Sequence, residues 1–550
     1  MVWKPNRSKL GILLLSCLMT AALFWTAFAE SNNVYASIAK NLNIIGEIFK
    51  QVNQKYVEHV DPDKFLKAAI DGMLSTLDPY TTYIEKEDKF QLQIMTEGKY
   101  DGVGLSLQYR DNIVTVGEPP FIGTPSARAG IREGDRIIKV NGKLTSKLGF
   151  SETAQMVRGP AGTEVTLTIE REGEKSPLEF TLIREHIQID DIRYAGVIDD
   201  SIGYILLTHF SQNASREVRQ AVQDLESRGI KGLIFDLRGN PGGILEAAVN
   251  VSDIFLDKKD LIVSRKGRTK ESTEEYFASQ KPLYSGPLAV LMNRFSASAS
   301  EIVAGALKDN DRAIVVGDTS FGKGLVQSVI PLSENTALKI TTAKYYTPSG
   351  RCIQRSSMFH SQDSTDQNDS KSFKTKNGRT VTSGGGIAPD IYILQNERQE
   401  MAVDLRRKSQ FFNFAVHYSN THAVLDSNFQ ITDDIMQSFQ QYLKDRHYVF
   451  EHPIEKDLRQ LRTECIQNGY GSQFLANIDQ LQNSMKQLGS AYFKSSEDDI
   501  RQILKQELAS KYFGVRREVE IALEADPVVN KAEQVLHDPV LYKEILTPVH

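Results

Sequence analysis

Three closely spaced serines, Ser296, Ser298 and Ser300, are the first residues whose type and spacing could support chemistry. They follow the apolar stretch PLAVLMN, which predicts a strand, and Ser298 begins SASEIVAGALKD, which predicts a helix. Backbone N–H groups at the start of a helix have no intrahelical partners. A serine beside them has the geometry of a nucleophile with an oxyanion hole. The alternative is that these serines are only helix N-caps, which is the commoner role of serine at such a position.

A lysine and a glutamine further along the chain could complete a catalytic site. Lys323 and Gln327 lie in FGKGLVQ, and their four-residue spacing places them on one face of either a strand or a helix. An uncharged lysine can act as a general base, and lowering its pKa from about 10.4 to near 7 costs roughly 4–5 kcal/mol. Burial can supply that shift. Gln327 could then hold the amine by a hydrogen bond. The alternative for any single lysine is a solvated surface position.

The stretch GDTSFGK, which ends at Lys323, also matches the start of a phosphate-binding loop. Such a loop continues with Ser or Thr, whose hydroxyl binds Mg²⁺, and it opens a helix. Here Gly324 follows, and GLVQSVIPLS predicts a strand. A nucleotide-binding protein is therefore the weaker alternative. Because no histidine occurs between His209 and His360, the sequence favours a serine–lysine dyad, a known variant of the hydrolytic triad.

The stretch DLRGNPGG (Asp236–Gly243) directly follows the apolar residues GLIF. A turn with few side chains at the carboxyl end of a buried strand is where open α/β sheets bind ligands. Its backbone N–H groups could hold a developing oxyanion. An ordinary connecting turn is the alternative interpretation.

Composition limits the classes of function. A net charge of −5, with both signs interspersed, argues against nucleic acid as a partner. Cys352 and Cys465 are the cysteines outside the apolar N-terminal run, and they support neither a disulfide framework nor a zinc site. The sequence has no HExxH-like pair of metal ligands, so we expect no cofactor. A length of 550 residues predicts about three to four domains.

The N-terminus has the pattern of an export signal. A basic start, KPNRSK, precedes an apolar run over residues 10–28, and AFA at 27–29 matches the site that a signal peptidase cleaves. The run is long for a signal peptide, so an uncleaved membrane anchor is the alternative. We therefore expect residues 1–29 to be a signal peptide or membrane anchor. The rest of the chain is expected in the periplasm or at the extracytoplasmic face of the membrane.

The pattern of apolar residues divides the remaining chain into four stretches. Residues 30–98 carry apolar residues at three- and four-residue spacings, which predicts a helical region. Residues 99–180 contain short strand patterns, typical of a small β-rich module. Residues 181–395 alternate strand and helix patterns, which predicts a largely parallel sheet covered by helices. Residues 396–550 are again helical in pattern. The polar stretch Ser356–Lys376 is expected to be an exposed loop.

Five motifs together resemble the carboxy-terminal processing peptidases, also called tail-specific proteases. They are DLRGNPGG, SASASEIVAGAL, FGKGLVQ, YYTPSGRCIQ and GGGIAPDI, and the likeness covers about residues 40–395. The resemblance implies that Ser298 is the nucleophile, that Lys323 is the general base and that Gln327 supports the lysine. It also implies an oxyanion hole made of backbone N–H groups, from Ala299 and from Gly242 or Gly243.

The β-rich module resembles a PDZ domain. YDGVGLSLQY looks like the carboxylate-binding loop of that domain, and PSARAGIREGDRIIKVNG matches its later core. A PDZ groove takes the C-terminus of another chain as an added strand and caps its carboxylate with backbone N–H groups. The resemblance gives Arg158, in RGPAGT, a regulatory role in switching activity. It gives the carboxylate-binding role to Gly102, Val103, Gly104 and Leu105.

The expected fold is therefore multidomain α/β, with a helical N-terminal region, a PDZ domain, a ClpP/crotonase-like α/β protease core and a helical C-terminal extension. The expected function is an exported serine endopeptidase that recognises C-terminal tails and cleaves peptide bonds through a serine–lysine dyad and an acyl-enzyme. Its partners would be polypeptides with accessible C-termini. An activating protein, membrane anchoring through residues 10–28 and a homo-oligomer are left open. A non-catalytic PDZ scaffold is a further alternative, against which the intact Ser298, Lys323 and Gln327 argue.

Overall fold

The computed structural model describes residues 35–199, 201–355, 371–394, 399–487 and 489–548. The chain divides into two compact units, one ending at Tyr83 and one beginning at Ile84. The predicted signal peptide or membrane anchor, residues 1–29, lies outside the described residues. None of the helices within the described ranges is long and apolar enough to cross a membrane.

The first unit is helical where it is described, as its apolar spacing predicted. Residues 35–55 form α1, and α2 spans Pro62–Leu74. The second helix has a clear start signal, because the side chain of Asp61 caps its N-terminus and Pro62 fills its first turn. A short strand, β1 (Thr82–Ile84), follows.

The second unit begins with a helix and the β-rich module, which forms an antiparallel sheet in the order β3-β4-β5-β7-β8, with β6 paired to β5. Strands β2 and β9 pair with each other where the chain enters and leaves the module. Gly149 interrupts α5 with a left-handed φ of 75°, so the helix predicted near residues 151–157 is its second half. The elements are α3 (Lys86–Glu97), β2 (Lys99–Gly102), β3 (Leu107–Arg110), β4 (Ile113–Val116), α4 (Pro125–Arg128), β5 (Arg136–Val140), β6 (Lys143–Leu144), α5 (Thr145–Val157), β7 (Glu164–Glu170), β8 (Leu178–Ile183) and β9 (Glu185–Gln188).

The α/β core is built on a six-stranded sheet in the order β10-β11-β12-β15-β16-β21. The strands from β11 onward are parallel, and β10 is antiparallel to β11. All residues of β12, β15 and β16 are buried, as expected for strands covered on both faces. The elements are β10 (Ile192–Asp199), β11 (Ile202–Leu207), α6 (Ala214–Ser227), β12 (Gly232–Asp236), α7 (Leu245–Ser252), β15 (Leu288–Met292), α8 (Ala299–Asp309), β16 (Ile314–Gly317) and β21 (Ile391–Tyr392).

In an antiparallel sheet beside α8, β18 pairs with β17 and with β13, and β13 pairs with β14. The strand predicted after Lys323 is confirmed as β17. The polar stretch Ser356–Lys376, predicted as an exposed loop, contains strand β19, which pairs with β20 just beyond it. Its residues 356–370 lie outside the described ranges. The elements are β13 (Leu261–Gly267), a 3-10 turn (Lys270–Ser272), β14 (Glu274–Phe277), β17 (Leu325–Pro331), β18 (Ala337–Tyr346), β19 (Ser372–Lys374) and β20 (Thr380–Thr382).

The C-terminal region is helical, as predicted, and it packs in two ways. One group of its helices forms a separate apolar core around Phe411, Phe414 and Phe439. The last three helices pack on the six-stranded sheet. The elements are α9 (Glu400–Arg407), α10 (Gln410–Thr421), α11 (Asp433–Asp445), α12 (Pro453–Gln467), α13 (Ser472–Gln487), α14 (Gly489–Ser495), α15 (Glu497–Phe513), α16 (Val515–Glu524), α17 (Pro527–Leu536) and α18 (Pro539–Ile545).

Side chains of the central strand β12 show how the sheet is covered on both faces. Leu233 and Phe235 belong to the apolar cluster that includes α6, α7 and α8. Ile234, which points to the opposite face, belongs to the cluster that includes α16, α17 and α18. Helices from both sides of the predicted boundary at residues 395/396 cover the sheet. That boundary therefore marks a change in the sequence pattern.

Candidate active site

The three serines lie at the turn between β15 and α8, and they do different things. Ser296 and Ser300 are fully buried. Their hydroxyls donate to carbonyl oxygens of the DLRGNPGG stretch, Ser296 to Leu237 at 2.8 Å and Ser300 to Asn240 at 2.9 Å. Ser298 is half-buried and occupies the N-cap position of α8. This is the position that the alternative interpretation of the serines as helix N-caps predicts. Ser296 and Ser300 thus bond this turn to the DLRGNPGG stretch, and Ser298 is the serine with access to solvent.

Ser298 has an unusual backbone conformation, with φ 54° and ψ −112°. A non-glycine residue with positive φ is disfavoured because its Cβ crowds the backbone. Such strain persists only where surrounding contacts hold it, and it is found often at active sites. The contacts around Ser298 are therefore of direct interest.

The buried carboxylate of Glu301 holds Ser298 and Lys323 together. Its Oε2 accepts the backbone N–H groups of Ser298 at 2.8 Å and of Lys323 at 2.9 Å. Its Oε1 accepts the hydroxyl of Ser320 at 2.5 Å and the N–H of Gly322 at 2.7 Å. Burial raises the pKa of Glu301, and these four hydrogen bonds oppose that rise because they stabilise the charged form.

The buried hydroxyl of Tyr345 contacts the same two residues on their carbonyl sides. It donates to the carbonyl oxygen of Lys323, and it lies 3.2 Å from the carbonyl oxygen of Ser298. Glu301 and Tyr345 therefore fix the backbone of both residues. The two motifs that carry Ser298 and Lys323 meet at one place in the fold.

Gln327 lies on β17, whereas Lys323 precedes that strand, which begins at Leu325. Strand alternation therefore does not by itself relate the two side chains. A register shift opposite Gln327 leaves Thr342 as an extra residue on β18. The side-chain amide of Gln327 donates to Thr341 Oγ1 at 3.4 Å. The loop containing Lys323 continues into a strand, so it lacks the helix that a phosphate-binding loop requires.

The NPGG turn packs directly against the turn that contains Ser298. Gly242 has φ +99°, and a Cβ atom there would lie 2.8 Å from Ser298 Cβ and 2.8 Å from the nitrogen of Ala299. Only glycine therefore fits this close approach. The N–H of Gly242 donates to Asn240 Oδ1 at 2.9 Å. Among the three predicted oxyanion donors, the N–H of Gly242 therefore already donates within its own turn. Gly243 is the next residue of that turn, and Ala299 is the first residue of α8.

Beneath the NPGG turn lies a buried charge network. Arg238 forms hydrogen bonds of 2.6 and 2.9 Å to Asp236 Oδ2, and Tyr204 donates to the same oxygen at 2.5 Å. Arg238 also pairs at 2.7 Å with Asp526, the N-cap of α17. Burial lowers the pKa of Arg238, but the two carboxylates raise it above its usual value, so the guanidinium stays charged. The network joins the turn to the C-terminal helices.

Two of the four predicted tail-binding residues line a cavity of about 270 Å³ in the β-rich module. Val103 and Leu105 of the loop line it together with α5, and α3 closes one side. Gly104 has φ +81°, and a Cβ there would lie 2.3 Å from the Thr124 hydroxyl, so the loop needs glycine. Arg158 also lines the cavity, and its guanidinium lies 4.9 Å from the ring centre of Phe90.

Comparison with known proteins identifies the family. Models of four families match this chain: peptidase family S41 at residues 201–359, the PDZ domain at 122–171, the activating protease CtpB N-terminal domain at 22–88, and the C-terminal helical domain described as that of a probable PDZ-protease at 401–536. A carboxy-terminal-processing protease of Bartonella bacilliformis is 40% identical over 341 residues, which cover 61% of this chain and 78% of the relative. The chain belongs to the carboxy-terminal-processing proteases.

This chain is also similar to a relative from a second organism and to a solved structure. A probable CtpA-like serine protease of Staphylococcus aureus is 36% identical over 350 residues, which cover 62% of this chain and 70% of that protein. Among solved structures, the photosystem II D1 C-terminal processing protease is 26% identical, with a TM-score of 0.35, and the match covers 63% of this chain and 91% of that one. The resemblance inferred from the motifs is confirmed, as is the multidomain α/β fold with an S41 core and a PDZ domain.

Two residues of this processing protease were missed from the sequence. Glu301 is three positions after Ser298, and a capping-box pattern S-x-x-E could have signalled its bond to the Ser298 N–H. Nothing in that pattern indicates its contacts with Gly322 and Lys323. Tyr345 lies in the YYTPSGRCIQ motif, but its contacts with two distant carbonyl groups depend on tertiary structure.

Proposed function

We propose that this processing protease is an exported serine endopeptidase that recognises C-terminal tails through its PDZ domain and cuts with Ser298 and Lys323. The observation that carries the proposal is the pair of contacts from Glu301 and Tyr345, which hold the backbones of Ser298 and Lys323 beside each other. A strained serine next to a lysine in a turn of small residues is suited to nucleophilic attack.

In the proposed mechanism, Lys323 acts as the general base. Its uncharged amine takes the proton of the Ser298 hydroxyl, and Ser298 Oγ attacks the carbonyl carbon of the scissile peptide bond. Lys323 then returns the proton to the leaving amine, which departs and leaves an acyl-enzyme. The same amine activates the water that hydrolyses the ester and releases the product. Gln327 would help to orient the lysine side chain.

The oxyanion of each tetrahedral intermediate needs two N–H donors. Ala299 supplies one, because it is the first residue of α8 and follows the nucleophile directly. We assign the second to Gly243, because the N–H of Gly242 already donates to Asn240. Donors fixed by a helix start and a rigid turn stabilise developing charge without further reorganisation.

The substrates would be polypeptides with accessible C-termini, captured by the loop at Gly102–Leu105. Arg158, beside that loop, would help to switch activity. Export would follow from the pattern of residues 1–29, which would direct the chain to the periplasm or to the extracytoplasmic face of the membrane. An activating partner protein, anchoring through residues 10–28 and self-association are compatible with this function.

The test is peptidase activity of Ser298→Ala and Lys323→Ala against an unfolded polypeptide that ends in an apolar, free C-terminus. Both variants should lose activity while their melting temperatures stay close to that of the wild type. Matched controls are Ser227→Ala and Lys258→Ala, whose residues are exposed and belong to neither turn. Cleavage by Ser298→Ala at the wild-type rate would refute the proposed mechanism.

A further inference from the structure

Gln354 lies buried against the loop that carries Lys323. Its Oε1 accepts the backbone N–H of Gly324 at 2.8 Å, and its Nε2 donates to the carbonyl oxygen of Arg355 at 3.1 Å. A backbone N–H can only donate and a carbonyl oxygen can only accept, so these partners determine which end of the amide is the oxygen. The side chain of Gln354 is therefore held in one orientation, with its oxygen on the lysine loop.

The backbone around Gln354 also approaches this loop closely. The N–H of Arg355 donates to the carbonyl oxygen of Gly322 at 3.0 Å. A Cβ atom at Gly324 would lie 2.8 Å from the backbone nitrogen of Gln354 and 3.1 Å from its Cβ. These separations are shorter than van der Waals contact, so the two segments can meet because residue 324 is glycine. The segment that ends the YYTPSGRCIQ motif thus contacts the loop on both sides of Lys323.

The peptide groups on both sides of Lys323 are held by hydrogen bonds. Glu301 accepts the N–H of Lys323 at 2.9 Å. The next peptide group is held at both ends, since the hydroxyl of Tyr345 donates to the carbonyl oxygen of Lys323 and Gln354 accepts the N–H of Gly324. Because a peptide group is planar, fixing the two groups that flank Lys323 fixes its φ and ψ. These dihedrals set the direction in which its side chain leaves the backbone.

We propose that Gln354 is a positioning residue for Lys323, which holds the N–H end of this peptide group so that the amine is directed at Ser298. This inference rests on the proposed function, in which Lys323 is the general base. The side-chain amide of Gln327, to which the family resemblance gives the supporting role, donates to Thr341, whereas that of Gln354 bonds to the lysine loop itself. Loss of this bond misdirects the base and leaves the binding of a tail unchanged.

The experiment measures how fast Ser298 reacts in the full chain. A serine-reactive fluorophosphonate is added with a tail peptide present, and labelling is followed in the wild type, Gln354→Met, Lys323→Ala and the double variant. Gln354→Met keeps the length of the side chain but removes the acceptor of the Gly324 N–H. It should slow labelling about 10- to 100-fold, because a buried N–H loses its partner and a small misplacement of a base is costly. In the Lys323→Ala background the same substitution should change the rate by less than about twofold, because the glutamine acts through the lysine.

Steady-state cleavage gives a second readout. Gln354→Met should lower kcat by a similar factor, while the KM for a tail-bearing substrate stays within about twofold. Gln437→Met is the matched control, because Gln437 is exposed on α11, and its labelling rate and kcat should equal those of the wild type. If melting curves show that Gln354→Met does not fold, Gln354→Asn replaces it, since an amide one methylene shorter withdraws the acceptor from Gly324.

Labelling of a folded Gln354→Met protein at the wild-type rate would overturn the inference. An equal loss in the wild-type and Lys323→Ala backgrounds would also overturn it, because the substitution would then act on the fold or on Ser298 without the lysine. Labelling of the single variant Lys323→Ala at the wild-type rate would instead refute the proposed general base.

Discussion

The carboxylate of Glu301 gives the sharpest test of how Ser298 and Lys323, the proposed catalytic residues, are positioned. Glu301→Gln keeps the size and shape of the side chain but leaves one acceptor oxygen in place of two. The wild-type carboxylate accepts four hydrogen bonds in a fully buried position. The glutamine amide group must therefore face one of the two pairs of donors.

The expected loss can be worked out from the partners. Ser320 can turn its hydroxyl to accept from the new amide, but the N–H of Gly322 cannot, so the amide is expected on that side. An orphaned buried N–H costs about 1–3 kcal/mol. The bonds from Ser298 and Lys323 would persist to a neutral oxygen, at about half their strength.

We therefore expect Glu301→Gln to lower kcat about 10- to 100-fold, which corresponds to about 1.4–2.8 kcal/mol. The KM for a tail-bearing substrate should stay within about twofold, because the PDZ groove is untouched. The assay is steady-state cleavage of an unfolded substrate with an apolar C-terminus, with melting curves to confirm folding. Glu226→Gln, at an exposed position on α6, is the control. A folded Glu301→Gln enzyme with wild-type kcat would show that this carboxylate does not position the dyad.

Two further predictions concern the contacts of the C-terminal helices. Asp526→Ala should lower the melting temperature more than Asp538→Ala, since both residues cap helices but only Asp526 also pairs with the buried Arg238; equal losses would show that the ion pair adds nothing. Glu133 is enclosed where the PDZ module meets these helices, and burial raises its pKa to about 7. The folded state thus holds this proton more tightly than the unfolded state, so the contribution of Glu133 to stability should fall as pH rises from 4.5 to about 7. Thermal melts across that range should show a flatter pH dependence for Glu133→Gln than for the wild type or the exposed control Glu179→Gln, and identical slopes would contradict the prediction.

The central strands and the turn at Ser298 could be predicted because their signals are local. The apolar runs GLIFD and PLAVLM are strands buried on both faces, and small residues after a strand predicted the turn at Ser298. The strand after Lys323 was visible in its β-branched residues. Each of these features depends on neighbouring residues in the sequence, which is why pattern alone identified them.

Features that depend on tertiary contact could not be predicted in the same way. The apolar face of α17 predicts that the helix is buried, but it does not say that the protease sheet is the surface it covers. The register shift opposite Gln327 leaves Thr342 as an extra residue on β18, and the sequence gives no clear signal of it. The meeting of Glu301 with Gly322 and Lys323 likewise requires two distant segments to be brought together by the fold.

The central claim is that Lys323 activates Ser298, and covalent labelling tests it most directly. The full chain, with a tail peptide present, is treated with a serine-reactive fluorophosphonate, and the modified residue is located by mass spectrometry. We predict a single adduct on Ser298 in the wild type and in Lys258→Ala. Labelling of Lys323→Ala should be about 100-fold slower or more, because a general base typically contributes a factor of that size. Labelling of Lys323→Ala at the wild-type rate, or an adduct on a different serine, would contradict the account.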